Sequence, residues 1–99
     1  MIRHTVAFKL KHLPGSVAER SFLQAGRKLS AIPVVRQFEC LRQIGTKNDF
    51  TFGFSMEFAS QQEYQTYNDH PDHVHFVQTR WKDEVVDFME IDYEPLGEL

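Results

Sequence analysis

The chain has 99 residues, 41% hydrophobic and 25% charged, which suits one soluble globular domain able to bury a single core. A formal charge of -3 with neutral histidines leaves no basic field to hold nucleic acid, and no apolar run reaches the length of a membrane span. The single cysteine, Cys40, excludes an internal disulfide and a cysteine-based zinc cluster, and with no signal-peptide pattern the expected location is a reducing cytoplasm.

Ile2, His4, Val6, Phe8 and Leu10 alternate with Arg3, Thr5, Ala7, Lys9 and Lys11. This period of two predicts a half-buried strand, with His4 on its apolar side and pointing inward. Leu13-Pro14-Gly15 is turn chemistry, and Ser16-Val17-Ala18-Glu19 fits a capping box. The helix it opens carries Phe22, Leu23, Gly26, Leu29 and Ile32 at three- and four-residue spacing and should end before Pro33. A second strand lies within Val34 to Ile44, its regular part at about Gln37–Gln43, with Phe38 and Cys40 on one face. Residues 45–49 are polar and suit a hairpin connection.

Phe50, Phe52, Phe54, Met56 and Phe58 alternate with Thr51, Gly53, Ser55, Glu57 and Ala59, the strongest strand pattern in the chain. One face is almost wholly aromatic. The other is small or polar, and either faces water or lets a second sheet approach closely, as in a dimer. Ser60-Gln61-Gln62-Glu63 is a second capping box, opening a short helix. Past Pro71, Val74, Phe76, Val77 and Trp81 are candidate buried positions. Val85 to Glu94 returns to strand character, with Met89, Ile91 and Tyr93 on one side. The expected order is βαββαβ with the second helix broken at Pro71, over one domain of residues 1–96 and a tail of 97–99. This is the α+β, ferredoxin-like order, with an antiparallel four-stranded sheet covered by helices on one face. A second copy of the chain is the economical cover for the other face.

The stretch Tyr67-Asn68-Asp69-His70-Pro71-Asp72-His73-Val74-His75-Phe76 holds three of the five histidines. Proline lacks a backbone donor and clashes with the preceding turn, so one helix should stop near Asp69. Pro71 is equally suited to open the next. Such a corner can hold Tyr67 and His73 near a common point. As metal ligands, His70 and His73 are separated by the proline, His75 points elsewhere, and no Cys or Glu completes a zinc spacing. As acid and base, an imidazole can take and return a proton near neutrality, and a phenol can donate to an oxygen that gains charge. With His4 and the aromatic side chains, Tyr67 and His73 would line an apolar pocket suited to proton abstraction beside a carbonyl. No glycine-rich phosphate loop or nucleotide fingerprint is present, so no cofactor is expected. Structural roles compete with each of these: His70 as a helix cap, His4 as a satisfied buried histidine, Tyr67 as a core aromatic with its hydroxyl at the rim.

Three stretches resemble the Dabb family, the stress-responsive dimeric α/β barrel proteins. They are Arg3-His4-Thr5-Val6-Ala7-Phe8-Lys9-Leu10-Lys11, Tyr67…His70-Pro71-Asp72-His73, and Ile91-Asp92-Tyr93-Glu94-Pro95. The resemblance implies a ferredoxin-like subunit that pairs through its sheet face into a homodimer. It also implies a site like that of a plant polyketide cyclase of the family, which closes a poly-β-keto thioester without a cofactor. By that likeness Tyr67 and His73 are the catalytic tyrosine and histidine, His4 the inward strand histidine and His70 the first histidine of the HPxH motif. Asp72 and His75 make this corner more polar than the cyclase's. Three functions remain open on the sequence: cofactor-free cyclase- or lyase-like chemistry on a small hydrophobic or carbonyl compound, non-catalytic binding of such a molecule by a stress protein, and a haem- or oxygen-dependent monooxygenase of the wider dimeric-barrel group.

Overall fold

The structure is a computed structural model that describes residues 1–99. Strands β1 (Ile2–Leu10), β2 (Arg36–Arg42), β3 (Phe52–Phe58) and β4 (Val85–Tyr93) form one antiparallel sheet in the order β2-β3-β1-β4. Helix α1 (Val17–Arg27) ends in a 3-10 turn, Lys28–Ala31. Helix α2 (Gln61–Asp69) is followed by α3 (Pro71–Phe76), a π-helical turn (Val77–Trp81) and α4 (Lys82–Glu84). The architecture is therefore the α+β, ferredoxin-like one, with the second helix broken at Pro71.

Both capping boxes form. Ser16 Oγ accepts from the Glu19 N–H at 3.1 Å, and the Glu19 carboxylate accepts from the Gly15 N–H at 3.0 Å. Ser60 Oγ accepts from the Glu63 N–H at 3.2 Å, and Glu63 accepts from the Ala59 N–H at 3.3 Å. Each box satisfies backbone donors that the first helical turn cannot.

The core lies between the helices and the inner face of the sheet, where Phe8, Phe22 and Phe58 are fully buried. Gly26 allows α1 to seat on β3, because a Cβ there would lie 2.4 Å from Phe54 Cζ. Glu84 is buried and accepts hydrogen bonds from His12 Nε2 at 2.7 Å and Arg80 Nε at 2.5 Å. Arg80 also reaches Ser21 Oγ at 3.2 Å, tying the π-helical turn to α1. No helix is long and apolar enough to cross a membrane.

The structure differs from the sequence expectations in two places. Strand β2 starts with an irregularity: Gln37 has a left-handed φ of 51°, and the register with β3 shifts between Arg36 and Glu39. Val74 is 37% exposed instead of buried. Val74 lies two residues before buried Phe76, about 200° round the helix, so both cannot face the core; the π turn that follows carries Phe76 and Trp81, five residues apart, to one side with ring centroids 6.4 Å apart. The sequence left open which side of β4 faces the core, and it is not the side that carries Met89, Ile91 and Tyr93. Met89, Ile91 and Tyr93 are 52%, 42% and 53% exposed on the outer face. Phe88, Glu90 and Asp92 face the helices instead, opposite Phe8, Val6 and His4 of β1.

Candidate active site

The corner at Pro71 works as its residues predict. Tyr67 lies in the last turn of α2 and is 2% exposed. His70 caps α3 by accepting the Asp72 N–H on its Nδ1 at 3.1 Å, and Pro71 opens that helix. His73, one turn on, returns toward α2 and sets its Nδ1 3.2 Å from the Asn68 carbonyl. A carbonyl only accepts, so Nδ1 carries the proton and Nε2 is left as a lone pair. The Tyr67 and His73 rings lie 4.2 Å apart, centroid to centroid.

His4 approaches from β1. Its ring centroid is 5.1 Å from that of Tyr64 and 6.3 Å from that of Tyr67. Its Nδ1 is 2.6 Å from Asp92 Oδ1 and 2.8 Å from the Tyr64 oxygen, and the Tyr64 hydroxyl donates to Asp92 Oδ2 at 2.9 Å. The carboxylate holds the imidazole in the Nδ1–H tautomer. His4 and His73 thus present the same bare nitrogen, one oriented by a carboxylate and one by a backbone carbonyl.

These groups line a cavity of about 620 Å³, a volume ordinary for small-molecule sites. Its floor is Val6, Phe54 and Met56 of the sheet, and its wall includes Phe76, Val77 and Trp81 of the π turn and the residues beside it. Phe88 and Glu90 border it on β4, and Lys82 and Val85 border it near the start of that strand. Neither the Tyr67 hydroxyl nor His4 Nε2 hydrogen-bonds to protein, and no sealed side-chain nitrogen or oxygen lacks a partner. Both tips therefore open onto the cavity.

Burial lowers the His73 pKa from the ordinary value of 6.5, outweighing the hydrogen bond to the Asn68 carbonyl that acts the other way. The ring is therefore neutral at pH 7, with Nε2 free to accept a proton. Burial also raises the Tyr67 pKa, with the Glu90 charge adding to the effect, so the phenol keeps its proton and acts as a donor. Tyr64 is raised by burial and by its bond to Asp92. No group of three or more His, Cys, Asp or Glu side chains is arranged to hold a metal ion.

Residues 2–95 match the family model Dabb, the stress responsive A/B barrel domain. The chain belongs to the Dabb family. No curated protein matches it. Among solved structures, a Dabb family protein with a ferredoxin-like fold from Mesorhizobium loti is 61% identical, with 97% of each chain covered and a TM-score of 0.94. A dimeric protein of ferredoxin-like fold from Bacteroides fragilis is 26% identical over 95% of each chain, with a TM-score of 0.75. The hydroxynitrile lyase of Passiflora edulis shares the fold at 14% identity, with 99% of this chain and 95% of that one covered and a TM-score of 0.85.

Of the four residues singled out in the sequence, the structure gathers Tyr67, His73 and His4 around this Dabb cavity and leaves His70 outside its lining, as the cap of α3. His75 is exposed. Sequence reasoning missed Tyr64, Asp92 and Glu90. A signal for Tyr64 was available, since it lies three residues before Tyr67 and so shares its helix face. Asp92 and Glu90 alternate with Ile91, so placing the apolar side of β4 outward would have turned both inward, toward His4.

Proposed function

We propose that this Dabb protein catalyses cofactor-free proton transfer on a small carbonyl compound, in the manner of a cyclase or lyase. His73 Nε2 takes a proton from the carbon next to the carbonyl. The Tyr67 hydroxyl donates to the carbonyl oxygen as it gains enolate charge. The imidazolium then returns the proton to the product, which leaves the pair as it began. His4, held by Asp92, turns a second lone pair toward the same space and orients the substrate by accepting a hydrogen bond from it. His70 acts indirectly, by fixing where α3 begins and hence where His73 stands. One observation carries this reading: a phenol and a neutral imidazole, 4.2 Å apart, line one apolar cavity.

The protein acts as a homodimer in the cytoplasm. On the outer face of the sheet Thr5, Ala7, Gly53 and Ser55 form a shallow centre beside Leu41, Met89 and Ile91, which are 46%, 52% and 42% exposed. That surface suits a second sheet packed at about 10 Å. The dimeric description of the Bacteroides fragilis relative supports the same state.

The test is deuterium exchange at the α-carbon of β-keto esters, β-keto thioesters and aryl ketones, followed by proton NMR. The wild type should accelerate exchange over buffer. His73→Ala should lose roughly 10²–10⁴-fold, and Tyr67→Phe should lose rate with little change in ligand affinity. Ligands that bind without any exchange, with affinity indifferent to His73→Ala, would leave a binding protein and end the catalytic reading.

A further inference from the structure

The cavity holds one charged group that the proton-transfer scheme does not use. Glu90 is on the inner face of β4, opposite Val6, between Phe88 and Asp92. Asp92 is engaged by His4 and Tyr64, whereas Glu90 makes no hydrogen bond or ion pair within the chain. Its charge is felt by Tyr64, Tyr67 and His73, so it is near the reacting end of the cavity. Lys82 is the other charged lining residue. It precedes the start of β4, whose Val85 is five residue steps, about 16 Å, from Glu90, and it forms no ion pair with Glu90. Glu90 is exposed along the cavity lined also by Tyr64, Tyr67 and Phe88, so a ligand that covers its carboxylate displaces the water solvating it and must supply a partner in exchange. Aromatic faces and a carboxylate together favour a donor, above all a cationic one.

We propose that Glu90 sets the specificity of the cavity, which takes a carbonyl compound carrying a hydrogen-bond donor, a hydroxyl or a protonated amine, that meets the Glu90 carboxylate while the carbonyl meets Tyr67. This deepens the proton-transfer reading by naming the substrate class, and it predicts that a purely hydrocarbon substituent at the same position is disfavoured.

Benzoylacetate esters with a methyl, hydroxyl or aminomethyl group at the meta position of the ring provide the probe, with affinities measured by NMR titration of the full-length protein. The wild type should bind the hydroxyl and aminomethyl esters roughly ten- to a hundredfold more tightly than the methyl ester, the range expected of a hydrogen bond to a charged group. Glu90→Gln keeps an acceptor but no charge, so it should retain part of the preference for the hydroxyl ester and lose that for the aminomethyl ester. Glu90→Leu should lose both. The position is exposed, so both variants should fold, as circular dichroism would check. Equal wild-type affinities, a preference that survives Glu90→Leu, or binding of none of the three would each overturn the assignment. α-Carbon exchange on the same esters separates the two claims. A donor preference without exchange would sink the catalytic reading and leave Glu90 standing, and exchange without preference would do the reverse.

Discussion

On the inner face of the sheet β1 and β3 present Phe8, Phe52, Phe54, Met56 and Phe58, all buried under helices, while β4 presents Glu90 and Asp92. On the outer face β1 and β3 present Thr5, Ala7, Gly53 and Ser55, while β4 presents half-exposed Met89, Ile91 and Tyr93. Over Met89–Tyr93 the polarity of β4 is thus the inverse of its neighbours'. In an isolated subunit that strand would waste its apolar side on water. The difference teaches that each face answers to something beyond the lone chain's core. The inner one furnishes polar groups to a cavity, and the outer one exposes the apolar surface on which the proposed homodimer would pair.

The comparison can be broken most severely from inside. His73→Ala removes the proposed base and should slow α-carbon exchange by roughly 10²–10⁴-fold while leaving the oligomeric state unchanged in analytical ultracentrifugation. A matching strike from outside is Ile91→Asp. A charge buried without a partner at the proposed interface should weaken association by about 3 kcal/mol or more, giving monomers at micromolar concentration. If the variant stays dimeric, the outer face is not the interface.

Gly26→Ala probes the helix-covered side alone. The added methyl meets the ring of Phe54, itself only 2% exposed, so the ring has little room to yield. Overpacking of about 1–3 kcal/mol should outweigh the gain of about 1 kcal/mol in helix propensity, and urea unfolding should show a net loss. The smallest effect concerns pH. Because the folded His73 pKa lies below 6.5, the unfolded chain takes the proton first. Its contribution to stability is complete above pH 6.5 and is lost as pH falls through the folded value. Calorimetry should find the wild-type Tm falling more steeply below pH 6.5 than that of His73→Phe. The acid limb of the exchange rate should also lie below 6.5; a limb above it would mean a different base.

Much of this was legible because it depends on neighbours along the chain. Strict alternation announced β1 and β3, two Ser-x-x-Glu boxes announced α1 and α2, and Pro71 announced the corner that brings His73 back to Tyr67. The inward turn of His4 followed from the same alternation. The π turn was not legible, because no residue type demands a helix widened at Val77–Trp81. The inner side of β4 was hidden for a different reason. Alternation put Met89, Ile91 and Tyr93 on one side without saying which side is inner, and only pairing with β1 puts Asp92 opposite His4.

The sequence by itself determined the order of strands and helices, the break at Pro71 and the tyrosine and histidine on either side of it. Each of these rests on steric and capping rules that act over a few residues. Tertiary structure alone decided which side of β4 is inside, and with it the carboxylate that holds His4 and the free one at Glu90. Those contacts join residues 88 positions apart in the case of His4 and Asp92, and pairing at that range follows from the whole sheet closing over one core.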